Sequence, residues 1–358
     1  MVTVAEQAIA ATPLVSPKGG GMWRYILIRF FLVIPTVFIV VTVVFLLTRI
    51  TGDPITAALG DRLPPDQLQE RIEAAGYNRP LIVQYLEYVG AVARGDFGTT
   101  ISDNRPVVEV LLTYGSATLE LAFYALIVAF AVGIPFGLIA AARRDRASDA
   151  GLRIAAILAY ATPIFFVAIL LKLIFAVWLD WLPVAGRATT RTELLLQTVE
   201  PATGIYLIDA LRLGNPNAVL DVLWHAVLPG LALGLLTAGI FFRLVRTNVI
   251  GTLGSQYVTS ARSRGVGEYR LLTKHAYRPA LIPIVTVIGL QIAVLLSGAV
   301  LTETSFEWKG IGFMLAEYIK ARDFVAVQGI VIMIAIVVAF TNFIVDIIAA
   351  LIDPRVRY

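Results

Sequence analysis

Five basic residues, Arg262, Arg264, Arg270, Lys274 and Arg278, crowd a polar stretch from Gln256 to Arg278 whose single acid is Glu268. Long apolar segments flank it on both sides. Guanidinium and ammonium groups at this density serve either to dock another protein or to hold the anionic head groups of an inner leaflet. Two carboxylates, Glu120 and Asp346, fall in apolar runs, where a buried charge is costly and marks a pathway, a proton relay or a partner. Both lie within a turn or two of the ends of those runs, so snorkelling or a hydrogen bond between helices accounts for them equally well. Lys172 has a long enough stem to pair or snorkel in the same way. The two histidines, His225 and His275, read as interfacial hydrogen-bonding residues rather than as metal ligands or bases.

Enzymatic constellations are missing. There is no G-x-x-x-x-G-K-[ST] to cradle a phosphate, no H-E-x-x-H pair for zinc and no G-x-S-x-G elbow for a serine nucleophile. Zero Cys leaves no thiolate nucleophile, no disulfide and no cysteine-ligated metal. The reading is a non-catalytic chain with no cofactor and no metal of its own.

The elements that position these groups are membrane helices. Hydrophobic residues make up 58% of the 358 positions and charged residues 15%, against roughly half and a quarter in soluble domains. Apolar runs occur at Phe30–Ile50, Leu119–Ala142, Leu152–Trp178, Ala226–Phe242, Leu281–Leu301 and Val325–Leu351. About 20 such residues cross a bilayer as helix, so the sequence predicts an all-α membrane protein with six transmembrane helices. The fourth run is the weakest, being short and carrying Pro229. The runs are continuous rather than alternating, which excludes a transmembrane β-barrel. The first run is too long for a cleaved leader, and five more follow it.

Charge orients the spans. With six helices both termini share a side, and the segments on that side hold sixteen basic residues against five acids. The opposite side holds twelve basic against eighteen acidic residues. The positive-inside bias therefore predicts cytoplasmic termini and a cytoplasmic Gln256–Arg278 stretch. The basic balance belongs to topology, not to nucleic-acid binding. The expected divisions are a loose cytoplasmic tail at 1–22, a first span at 23–50, an extracytoplasmic helical lid at 51–112, a core of spans two to six at 113–352 with the loop 250–280 inside it, and a cytoplasmic tail at 353–358. In the lid, Asp66 is a plausible helix cap, LQERIEAAG ends at Gly76, and Tyr77 to Val92 reads as a second amphipathic helix. The second outer segment, 179–222, has Trp178 and Trp181 at its start, as in an interfacial belt, followed by polar residues. Both outer segments are long enough to contact a soluble partner or substrate rather than merely connect.

Within the basic stretch, a helix from Gln256 through Ser263 would place Tyr257, Val258, Ala261 and Arg264 on neighbouring faces, with Arg262 directed elsewhere. The small Ser260 and Ala261 permit close seating against another protein. Gly265-Val266-Gly267 breaks that helix, and Glu268 starts a second one that feeds the fifth span. Such an arrangement is a lever from a docked partner into the membrane.

At this point the order of motifs resembles one family. YVTSARSRG at 257–265, followed by LLTKHAYRPALIPIVTVIGLQ, is similar to the cytoplasmic coupling loop of binding-protein-dependent ABC importer permeases of the dipeptide/oligopeptide class. The family's loop motif opens Glu-Ala-Ala with a glycine four positions after the second alanine. Here Thr259, Ser260 and Ala261 stand at the first three places and Gly265 at the glycine, so the Glu and one Ala are replaced. TGDP at 51–54, RPLIVQYLEYVGAVARGDFGTT at 79–100, ATLELAFYALIVAFAVGIPFGLIAA at 117–141, TPIFF at 162–166, WLPVAG at 181–186, ETSFEWKGIG at 303–312 and the ending NFIVDIIAALIDPRVRY extend the likeness over nearly the whole chain beyond residue 22.

The resemblance, specifically to the B-type permease of such systems, implies the type I ABC importer permease fold in a bacterial inner membrane. It implies a related C-type permease, two cytoplasmic ATP-binding subunits that carry the ATP and Mg, and an extracytoplasmic peptide-binding protein as partners. Tyr257, Ser260, Ala261, Arg262, Gly265, Gly267 and His275 would form the coupling surface. Related branches import nickel, glutathione or sugars. An ion-coupled secondary transporter using Glu120 or Asp346, or a receptor-like scaffold using the outer segments, are the readings from other classes.

Overall fold

The computed structural model describes residues 22–50, 52–60 and 62–352. The expected tails, apart from Met22, lie outside the described residues. In hydrocarbon a backbone amide must find its partner within its own segment, so the apolar runs fold as helices. The order is α1 (Met22–Ile50), three short helices α2 (Pro54–Leu59), α3 (Pro65–Ala74) and α4 (Leu81–Ala93), then α5 (Val107–Ala142). Next come α6 (Ala147–Ala161), α7 (Ile164–Leu171) running into a π-helical segment Lys172–Trp178, α8 (Thr190–Leu196), α9 (Tyr206–Leu213) and α10 (Pro216–Leu253). The chain ends with α11 (Gln256–Ser263), α12 (Glu268–Arg270), a second π-helical segment Leu271–Ala276, α13 (Tyr277–Phe306), α14 (Ile311–Lys320) and α15 (Phe324–Ile352). Among the described residues the only β pairing is an isolated bridge between Thr99 and Pro106.

By length and composition α1, α5, α10 and α15 can each cross a membrane. The run expected at Leu152–Trp178 is not one straight span: α6 and α7 meet at an angle of 106°. Pro163 explains the break, because it has no amide to donate and drives the preceding Thr162 into extended backbone at φ −80°, ψ 131°. The weak fourth run is instead the middle of the 38-residue α10, which Pro229 does not interrupt. Pro216 at its first turn and Asn215, whose side chain accepts from the Asn217 amide at 3.0 Å, start that helix ten residues earlier than hydropathy suggests. The 30-residue α13 takes the place of the fifth expected run.

The most extensive helix pairing among the described residues is between α5 and α10. Lipid supplies little hydrophobic drive between helices, so small residues that let backbones approach decide who packs with whom. A methyl group at Gly133 would lie 2.7 Å from the Ala238 carbonyl oxygen, and one at Gly234 would lie 2.6 Å from that of Ala125. Along this seam, Ala129 and Ala141 of α5 and Phe241, Val245 and Val249 of α10 pack with Ala276 at the end of the second π-helical segment and Ala280 and Ile284 at the start of α13.

The segment expected as a lid differs in its details. α5 begins at Val107, so 107–112 belongs to the long helix. Asp66 sits in the first turn of α3 behind Pro64 rather than capping it; the acid that does cap is Asp53, which accepts from the Thr56 amide at 2.7 Å. The second helix begins at Leu81, after Pro80, not at Tyr77. The segment 179–222 is not plain loop, since it holds α8, α9 and the first turns of α10.

At the start of α6 the fully buried Asp149 accepts two bonds from Arg246 of α10, both at 2.7 Å. Removing one member of such a pair strands the other charge. Arg246→Met should therefore lower stability by about 3 kcal/mol, and adding Asp149→Asn should restore most of the loss. Thermal denaturation of the detergent-solubilised protein measures both. Equal destabilisation in the single and double variants would exclude the pair as the cause.

Candidate functional site

The turn between α10 and α13 forms an elbow fastened to the bundle on one side and bare on the other. α11 spans the residues expected of it, and Val258 is its one fully buried side chain. Leu271 and Ala276 of the π-helical segment are likewise fully buried, and Ala276 packs in the cluster with Val245 and Val249 of α10. In that segment the Tyr277 amide reaches back to the Leu272 carbonyl, one residue farther than in an α-helix. Wide turns of this kind concentrate at functional positions in helices. They let the elbow run into α13 without a loop.

The opposite face carries the side chains singled out by sequence. Tyr257 is 48% exposed, and its hydroxyl donates to the His275 carbonyl at 3.4 Å, which joins the two halves of the elbow. Ser260 is exposed and Ala261 half-buried on α11. Arg262 clasps Glu268 through Nε at 2.6 Å and Nη2 at 3.1 Å. That donation holds the Glu268 carboxyl below the ordinary carboxylate range. The charged form is the bonded one, so the clasp persists at neutral pH and opens only as the pH falls through that lowered value. Arg264, Arg270, Lys274 and Arg278 remain exposed, as does Tyr269 at 82%. Gly265 alone of the turn glycines needs a left-handed backbone, at φ +78°; Gly267 has φ −64°.

Both intramembrane acids are bonded to other parts of the chain, which is the interhelical alternative that the sequence left open. Glu120 lies well inside α5 and is buried, accepting from the Tyr124 hydroxyl at 3.0 Å, the amides of Leu207 at 2.9 Å and Tyr206 at 3.2 Å, and the Arg187 guanidinium. With its oxygens so occupied, it ties the first turn of α9 and Arg187 onto α5. Asp346 forms a partly exposed pair with Arg29 of α1 at 3.0 Å. A third carboxylate was missed. α13 continues past the expected end at Leu301, and its last turn holds the fully buried Glu303, which accepts from the Thr118 hydroxyl at 2.7 Å and the Phe313 amide at 2.9 Å. The ETSFEWKGIG stretch marked this place, but a hydropathy window closed before reaching it. Lys172 pairs rather than snorkels, donating to the Ser305 carbonyl at 2.8 Å. His225 is buried within α10, its Nδ1 2.8 Å from the Asp221 carbonyl. Among the described residues no group of three or more His, Cys, Asp or Glu could hold a metal ion.

A helical bundle of apolar spans with a basic elbow between α10 and α13 is an integral-membrane transport subunit with the type I ABC importer permease fold. The chain belongs to the family described as binding-protein-dependent transport system inner membrane component, whose model matches residues 133–358, with the N-terminal model of such membrane components matching residues 22–121. It is 39% identical over 339 residues to the di/tripeptide transport system permease protein of Pseudomonas aeruginosa, covering 94% of this chain and 99% of that one. It is 35% identical over the same length to the dipeptide transport system permease protein of Escherichia coli K12, with the same coverage. The oligopeptide transport system permease protein of Bacillus subtilis is 30% identical over 339 residues, 94% of this chain and 100% of its own.

Gly265 offers a clean test of the elbow. Nothing lies within 4 Å of a methyl group placed there, so a substitution acts on the backbone and not on packing. Gly265→Val should reduce transport about tenfold or more while leaving membrane insertion intact, and Gly265→Asn, which tolerates a left-handed backbone, should be milder. Vesicle uptake and membrane-fraction immunoblots give the ranking; Val and Asn behaving alike would remove the conformational argument.

Proposed function

We propose that this chain is the transmembrane permease subunit of an ATP-driven importer that moves di- or oligopeptides, delivered by an extracytoplasmic binding protein, into the cytoplasm. The observation that carries the reading is the end-to-end likeness to peptide permeases, with coverage of 94% of this chain at 30–39% identity. The elbow adds a physical role, since it is basic, exposed on one face and packed on the other against α10 and the root of α13. On this reading the subunit sits in the bacterial inner membrane with both termini and the elbow in the cytoplasm. It pairs with a related C-type permease and receives two ATP-binding subunits, which hold ATP and Mg and perform the hydrolysis. The segment 52–106 and the α7–α10 connection face outward toward the binding protein.

Tyr257, Ser260, Ala261, Arg262, Gly265, Gly267 and His275 form the coupling surface. No covalent step occurs in this chain. ATP binding acts by favouring one arrangement of the permease pair over the other, and it can do so only through contacts that differ between the two. Gentle detergent extraction should co-purify an ATPase carrying a Walker A motif. Vesicles holding that complex should accumulate radiolabelled dipeptide only when ATP and the binding protein are both present. Accumulation driven by a proton gradient without ATP would contradict the proposal and return Glu120 and Asp346 to consideration.

A further inference from the structure

Resting on the reading above, we infer that the segment between α1 and α5 is not a hinged lid but a fixed platform, and that Asp323 is the positioning residue that welds it to the helices driven by the elbow. Asp323 precedes α15 and is fully buried. Its Oδ2 accepts from the amides of Ile101 at 2.6 Å and Ser102 at 2.8 Å and from the Ser102 hydroxyl at 2.8 Å. Its Oδ1 accepts from the Ala326 amide at 3.0 Å, within the first turn of α15. One buried carboxylate thus closes the N-terminus of a long helix and holds a loop more than two hundred residues away in sequence.

The rest of the loop is fastened around this point. Residues 98–107 form a tight hairpin, with Thr100 and Arg105 bonded through their backbones at 2.9 Å and the Val107 amide on the Gly98 carbonyl at 3.0 Å. Tyr318 of α14 donates to Asp103 at 3.1 Å. Phe97 is buried with Ala326 and Ile330 of α15 and Val107 and Val110 of α5. Midway along the segment the Tyr85 hydroxyl meets Thr42 of α1 at 2.7 Å, and the Arg49 guanidinium stacks over Tyr77 at 4.5 Å.

The weld also completes a line of contact through the chain. The elbow continues directly into α13. The last turn of α13 holds the start of α14 through the bond from the Phe313 amide to Glu303 at 2.9 Å. α14 leads to Asp323, and Asp323 grips the hairpin. A binding protein seated on the platform would therefore meet a surface that moves with α13 to α15 and does not open independently of them. A demonstrated coupling, rather than adjacency, is what establishes such a line.

The chain's lack of cysteine makes the test specific. The full complex carrying Asp323→Asn should keep its basal ATP hydrolysis within about twofold but lose about tenfold of the stimulation given by peptide-loaded binding protein. A purely local structural defect would lower both together. The double variant Ser102→Cys/Asp323→Cys replaces the hydrogen bonds by a covalent link at the same place. It should behave like Asp323→Asn when reduced and recover uptake and stimulation when oxidised, and this holds even if Asp323→Asn assembles poorly. Loss of uptake on oxidation would mean that the segment must open, and undiminished stimulation in Asp323→Asn would mean that the weld is idle; either overturns the inference. An unsubstituted complex that ignores the binding protein altogether would overturn the functional reading beneath it.

Discussion

Close approach of α5 and α10 is the constraint on which the rest of the chain depends. Glycines face backbone at several levels of this seam, and at Gly133 and Gly234 even one carbon atom has no room. A membrane offers no hydrophobic gain for pulling two apolar helices out of lipid, so contact density has to supply the attraction. With the seam set, α10 provides the wall against which both α6 and the root of α13 are held. Asp149 and Arg246 fix α6 to it, while Ala276, Ala280 and Ile284 seat α13. The elbow is then the only stretch between α10 and α13, and its short buried face leaves the basic face free.

Buried charge follows the same economy. Glu120, Asp149, Glu303 and Asp323 are all shielded from solvent, and each accepts several hydrogen bonds. A carboxylate in that setting is costly unless its acceptor positions are filled. Each accepts at least one bond from a different element, so each acts as a tie between parts of the chain. Glu120 holds the first turn of α9, Asp149 holds α10, Glu303 holds α14 and Asp323 holds the loop before α5. A free intramembrane acid of the kind a proton relay needs is not among these four.

Legibility in the sequence tracked the range of the interaction involved. α11, from Gln256 to Ser263, and the break at Gly265 were readable because helix period and a glycine break are local signals. The family likeness was readable because ordered motifs survive where individual contacts change. The extent of α10 was not, because its first turns interleave Asn217 and Asp221 with apolar residues and pack on α9 through Ala218 and Val222, so a hydropathy window discards them. Nor was the 106° break at Pro163; an uninterrupted apolar run hides a bend that only one proline and its neighbour report. Glu303 and Asp323 stayed invisible for a different reason. Their partners Thr118 and Ser102 are far away in the chain, and nothing in a lone acid near a helix end says whether it will be buried.

The central claim is that force enters at the elbow and passes into α13 without the elbow itself yielding. Spin labels on cysteines placed at Ser260 and Tyr269 report distances within the elbow. A label at Ser260 paired with one on the corresponding elbow of the partner permease reports its displacement. In the assembled transporter the account predicts that the Ser260–Tyr269 distance stays the same between the nucleotide-free and ATP-trapped states, while the separation of the two elbows changes. A Ser260–Tyr269 distance that shifts with nucleotide, or an elbow separation indifferent to it, would contradict the account.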